Sequence, residues 1–177
     1  MKTSTRFALS VLLLRPIAGW AAPAEKPGAD RVAVTFDHPE KFIDVRDDST
    51  DFENERGRDH FLPILKEHLE RRAGKLLPAG QKLAITFTDI DLAGDFEPWR
   101  GMNFHDVRIV KDLYVPRMNF TFKVTDEAGQ VVKEGEEKLL DAAFQMRITG
   151  VSNTDPLRYE KEMLNDWLRK EFPARKK

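Results

Sequence analysis

The chain has 177 residues, enough for one domain and too few for two of ordinary size. Apolar residues make up 41%, which can build a core, and 29 basic residues nearly balance 30 acidic ones, so no global field favours nucleic acid. Cysteine is absent, which excludes disulfides, thiolate nucleophiles, cysteine zinc sites and iron–sulfur clusters together.

Residues 1–21 read as a secretory signal. Lys2 and Arg6 supply the positive start, Phe7 to Leu14 the apolar stretch, and Gly19 and Ala21 the small residues before a cut. A membrane anchor would need roughly 20 apolar residues, and Arg15-Pro16 interrupts after eight. The expected product is periplasmic or secreted, starts at Ala22 and has no membrane anchor after cleavage. Residues 22–30, with two prolines and a glycine, read as a linker, and 31–177 as a single domain.

Val32, Val34 and Phe36 alternate in a first strand, stopped by Pro39. The charged stretch from Asp44 to Asp59 reads as a solvated loop. A helix is expected from about Asp59 to Leu77, with Asp59 as N-cap and Pro63 in the first turn. Its apolar stripe is Phe61, Leu62, Leu65, Leu69, Ala73 and Leu76, and Pro78 and Gly80 close it.

Leu83 to Thr88 reads as the next strand, with Leu83, Ile85 and Phe87 inward. Unbroken alternation would carry Asp89 and Asp91 onto the same inward side. An irregular loop from Ala93 to Asp106 carries Trp99 and Phe104. Met118, Phe120, Phe122 and Val124 then alternate with polar residues in the clearest strand of the chain. Asp126-Glu127-Ala128-Gly129 turns it into a return strand, where Gly135 suggests a bulge. Phe144, Met146 and Ile148 continue with period two. Thr154-Asp155-Pro156 should cap a last helix with the stripe Leu157, Leu164, Trp167, Leu168 and Phe172. The economical architecture is a two-layer α+β domain: a four- to five-stranded, mostly antiparallel sheet with two helices on one face.

The chemistry is read largely by elimination. Past the leader only Ser49 and Ser152 remain, and neither sits in a nucleophile elbow. No phosphate loop or dinucleotide fingerprint occurs, so no cofactor is expected. His38, His60, His68 and His105 stand singly and read as surface or cap residues. Asp89-Ile90-Asp91-Leu92-Ala93-Gly94-Asp95-Phe96-Glu97 invites a calcium loop, but Ala93 and Arg100 occupy two positions where an EF-hand needs ligands. No metal site is assigned. The alternative is that Asp89 and Asp91 are paired with Arg100, Arg108 or Arg117. These five residues and Trp99 are the binding-site candidates.

Val34-Thr35-Phe36 with Pro39-Glu40-Lys41-Phe42, and Thr88-Asp89-Ile90-Asp91-Leu92-Ala93-Gly94, carry a resemblance. So do Asp106-Val107-Arg108-Ile109-Val110, Pro116-Arg117-Met118 and Arg158-Tyr159-Glu160-Lys161 with Trp167. Together they resemble an exported, mainly proteobacterial family catalogued as domain of unknown function 3016. The resemblance implies a periplasmic or secreted location and supplies no activity or site residue. Two functions stay open. One is a non-enzymatic binding or envelope-associated module whose partner is an envelope protein or a small ligand. The other is a metal-dependent or carboxylate-based hydrolase using Asp89, Asp91, Glu97 and His105.

Overall fold

The computed structural model describes residues 29–43, 53–101, 107–147 and 154–173. The leader, most of the linker, His105, Phe104 and Ile148 lie outside them. The main sheet is built from β1 (Val32–Phe36), β2 (Lys82–Asp91), β5 (Arg117–Thr125) and β6 (Val131–Leu140), in the order β1-β2-β5-β6. Helices α1 (Glu53–Leu76) and α2 (Arg158–Glu171) pack on one face. A separate two-stranded ribbon joins β3 (Asp95–Phe96) to β4 (Arg108–Ile109). The fold is α+β. The sheet is mixed, because β1 and β2 run parallel, and α1 provides the long connection that a parallel pair requires.

Alternation decides which face meets the helices. Met118, Phe120, Phe122 and Val124 of β5 are buried, as are Leu83, Ile85 and Phe87 of β2. Trp167 of α2 stands edge-on to Phe120 and Phe122, at ring centroid distances of 4.8 and 5.5 Å. Phe87 lies 5.0 Å from Phe120 and 5.6 Å from Phe36, so one aromatic chain crosses three strands and reaches α2. The other face is open and carries Ala33, Thr35, Ala84, Thr88, Thr121 and Lys123. Arg31 fastens the sheet to α1. Its guanidinium donates to the carbonyls of Gly74 (2.7 Å) and Pro78 (2.9 Å), supplying donors where the helix has run out of them.

Several expectations need correcting. α1 begins at Glu53, not Asp59, which places Pro63 in the helix interior, where it removes one backbone hydrogen bond. A charge run fixes solvation, not backbone conformation, and Glu and Arg are good helix formers. α2 begins at Arg158. Asp155 instead organises the preceding turn, its carboxylate accepting from the Leu157 N–H at 2.9 Å. Phe144 to Met146 form a short 3-10 turn rather than a strand, with Phe144 buried and Met146 exposed. Residues 95–96 and 108–109 pair as a ribbon inside what reads as an irregular loop.

The hairpin bulge lies near the turn, not at Gly135. Val124 pairs with Lys133 and Thr125 with Val131, so Val132 is the extra residue. Gly135 sits opposite Phe122, and a Cβ there would approach the ring to 3.0 Å. It makes room for an aromatic side chain.

The main correction concerns β2. Phe87 pairs with Phe120 and Asp89 with Asn119, leaving Thr88 as an extra residue between them. This bulge inverts the alternation. Ile90 takes the buried position, and Asp89 and Asp91 remain half-buried on the other side. The inward placement of the two aspartates is therefore overturned.

Phe120 is fully buried between β2 and α2. Phe120→Ala should cost about 3–5 kcal/mol in a urea melt. A change near zero would mean that the hairpin faces the other way.

Candidate functional site

Beyond the bulge, β2 ends at Asp91, and the chain turns through Leu92, Ala93 and Gly94 into the ribbon. Two contacts hold this turn. The Ala93 N–H donates to Oε1 of Glu160, a buried carboxylate on α2, at 2.6 Å. The Gly94 N–H donates to the carbonyl of Tyr114 at 3.1 Å. Gly94 has φ of 89°, and a Cβ would come within 3.0 Å of Arg108 and of the Ile109 carbonyl. Only glycine suits that backbone and that spacing.

The ribbon is organised by Glu97, whose side chain is 2% exposed. Its Oε1 accepts from the Tyr114 hydroxyl at 2.8 Å and from Lys111, and its Oε2 accepts from Arg100. Hydrogen bonds from Lys111, Tyr114 and Arg100 outweigh desolvation and lower the Glu97 pKa to about 2. The same bond raises the Tyr114 pKa, because its hydroxyl proton is held by a carboxylate. Glu97 therefore anchors one tyrosine and two cations.

A cavity of about 380 Å³ opens beside this cluster. Tyr114 and Gly94 line it on the ribbon side, and Asp91 and Arg117 on the sheet side. Arg117 Nε donates to Asp91 Oδ2 at 2.9 Å, and a second guanidinium nitrogen donates to the same oxygen. Ile43 and Leu113 form an apolar rim, 49% and 75% exposed.

The residues singled out in the sequence distribute unevenly around this cavity. Asp91 and Arg117 line it as a pair. Asp89 lies next to it, its Oδ1 accepting from the Ile43 N–H at 3.2 Å. Arg108 supports the turn, donating to the Gly94 carbonyl at 2.8 Å while its guanidinium lies 4.9 Å from the Phe96 ring centroid. Arg100 serves Glu97. Trp99 is 72% exposed.

Sequence reading missed Lys111 and Tyr114 as members of the cluster, because their partner is 14 and 17 residues away across a ribbon with no clear alternation. It also misplaced His68, which is buried and bonded to Asn165 of α2 at 3.0 Å. His68 falls three residues after Leu65, a spacing that marks a flank of the apolar stripe. Among the described residues, no three His, Asp or Glu side chains gather where they could hold a metal ion.

The acid response follows from the Glu97 shift. Its folded pKa is depressed from 4.5 to about 2, so its contribution is complete above about 4.5 and is lost as pH falls towards 2. Glu97→Gln should flatten the loss of stability across that window. Tyr114 should also titrate at lower pH in that variant. An unchanged tyrosinate absorbance titration would contradict the cluster.

No curated protein and no solved structure matches the chain. The family model described as "Protein of unknown function (DUF3016)" matches residues 30–170, from just before β1 to the last turn of α2. That span takes in the bulged strand, the Glu97 cluster and both helices, and the chain belongs to this family of proteins of unknown function.

Proposed function

We propose that the protein is an exported, non-enzymatic binding module of the cell envelope that recognises its partner at the cavity between the end of β2 and the ribbon. The supporting observation is the commitment of the charged groups there. Glu97 is bound by three donors and stays ionised well below neutral pH, which suits an anchor and not a proton-transfer group. Asp91 is occupied by Arg117, and Asp89 accepts the Ile43 N–H. The result is a preorganised polar cavity with an apolar rim at Ile43 and Leu113. Such a surface suits a partner that brings apolar groups to the rim and hydrogen-bonding groups to the interior. That partner is an envelope protein or a small ligand.

Export rests on the leader pattern in residues 1–21. Among the described residues no helix is long and apolar enough to cross a membrane. Exported material should begin at Ala22, and N-terminal sequencing that finds Lys2 still present would remove this part of the reading.

The hydrolase reading is tested at Asp91. The Asp91–Arg117 pair is partly exposed, at 19% and 47%, so Asp91→Asn should cost no more than about 1 kcal/mol. That loss should be the same with and without a chelator. A wild-type melt that shifts on chelation would favour a metal-dependent enzyme instead.

A further inference from the structure

A second cavity, of about 370 Å³, lies between the helices on the far side of α1 from its N-terminus. His68, Arg71, Arg72 and Lys75 line it from consecutive turns of α1, and Lys161, Asn165 and Arg169 from α2. Five basic side chains meet two acidic ones, Asp155 and Glu162, in a chain whose overall charge is −1. Both acids are already engaged. Lys161 bonds Asp155 at 2.5 Å, and Arg169 lies 3.6 Å from Glu162 while also pairing with Asp166.

Arg71, Arg72 and Lys75 have no carboxylate partner among the described residues. Arg72 is the most telling of the three. Its Nε is buried and makes no hydrogen bond, although a buried guanidinium donor without an acceptor is costly. Neutralising the end of the helix does not account for the three cations, because Arg31 already occupies the carbonyls of Gly74 and Pro78. The neighbouring imidazole adds no further charge at neutral pH. Burial, followed by the nearby Lys161, Arg71 and Arg72, outweighs the Asn165 hydrogen bond and lowers the His68 pKa. The His68–Asn165 bond joins the two helices within the lining of the cleft.

We infer that this cleft binds a phosphoryl group, as inorganic phosphate or as a phosphate monoester. Two guanidinium forks and an ammonium from successive turns match a tetrahedral dianion in charge and in donor number. A single carboxylate would leave most of that charge uncompensated. The bound dianion would also face His68 and favour its protonated form.

Calorimetric titration of the full chain with inorganic phosphate and with glycerol phosphate, at constant ionic strength, tests the assignment. Vesicles containing phosphatidic acid, whose headgroup is a phosphate monoester, run in parallel, distinguish a lipid headgroup from a free phosphate. Arg71 and Lys75 are exposed, so R71Q/K75Q should fold, which a melt checks. Wild-type protein should bind at least one of the three probes, and R71Q/K75Q should bind it at least about ten-fold more weakly. The ring signals of His68 should titrate at higher pH once the site is filled. Absence of binding to all three probes would overturn the inference. So would binding that R71Q/K75Q retains, or an unmoved His68 titration.

Discussion

One extra residue in β2 sets much of what the rest of the molecule does. Thr88 carries no core contact, yet leaving it unpaired in the ladder decides which way the end of the longest central strand faces. With it, Ile90 continues the apolar face and the flanking aspartates turn aside. Asp91 then meets Arg117 across the β2–β5 pair, and Asp89 receives the backbone of Ile43 from the segment after β1. A regular strand would instead drive two carboxylates towards the aromatic core, where each would need a buried partner. The bulge converts a core strand into the wall of a cavity.

The features that sequence made legible are those governed by unbroken period. β5 shows four apolar residues in strict alternation, and all four are buried. The stripes of α1 and α2 name most of the residues that meet the sheet. Period fails where one residue is added or where hydrogen bonding replaces packing. The Thr88 bulge leaves no mark in composition. Gly135 looks like a bulge residue because glycine serves there too, but its role depends on Phe122 of the facing strand. His68 and Asn165 find each other across 97 residues, and nothing local to either one announces it.

The candidate site was legible in part, and for a physical reason. Asp91–Arg117 was within reach because both residues border apolar strands whose pairing can be guessed. The Glu97 cluster was not, since its members come from a two-residue ribbon and its flanking turns. The two cavities also differ in kind. Near the ribbon, the buried Glu97 carboxylate is matched by two cations and a tyrosine hydroxyl. Between the helices, basic groups converge without enough acid to match them. The first arrangement stiffens a surface, and the second leaves donors available to an anion from outside.

The most direct measurement is deletion of Thr88, compared with Thr88→Ala in urea melts. If Thr88 is the extra residue, its deletion leaves Phe87, Asp89, Ile90 and Asp91 opposite Phe120, Asn119, Met118 and Arg117 in unbroken alternation, so Ile90 stays buried and the loss should be no more than about 2 kcal/mol. Thr88→Ala keeps the count and loses only the hydroxyl contact to the Asn119 carbonyl at 3.2 Å, so it should cost about 1 kcal/mol or less. A deletion that costs well over about 3 kcal/mol, the loss expected from turning Asp91 inward and expelling Ile90, would show that Thr88 is not the extra residue and would contradict this register.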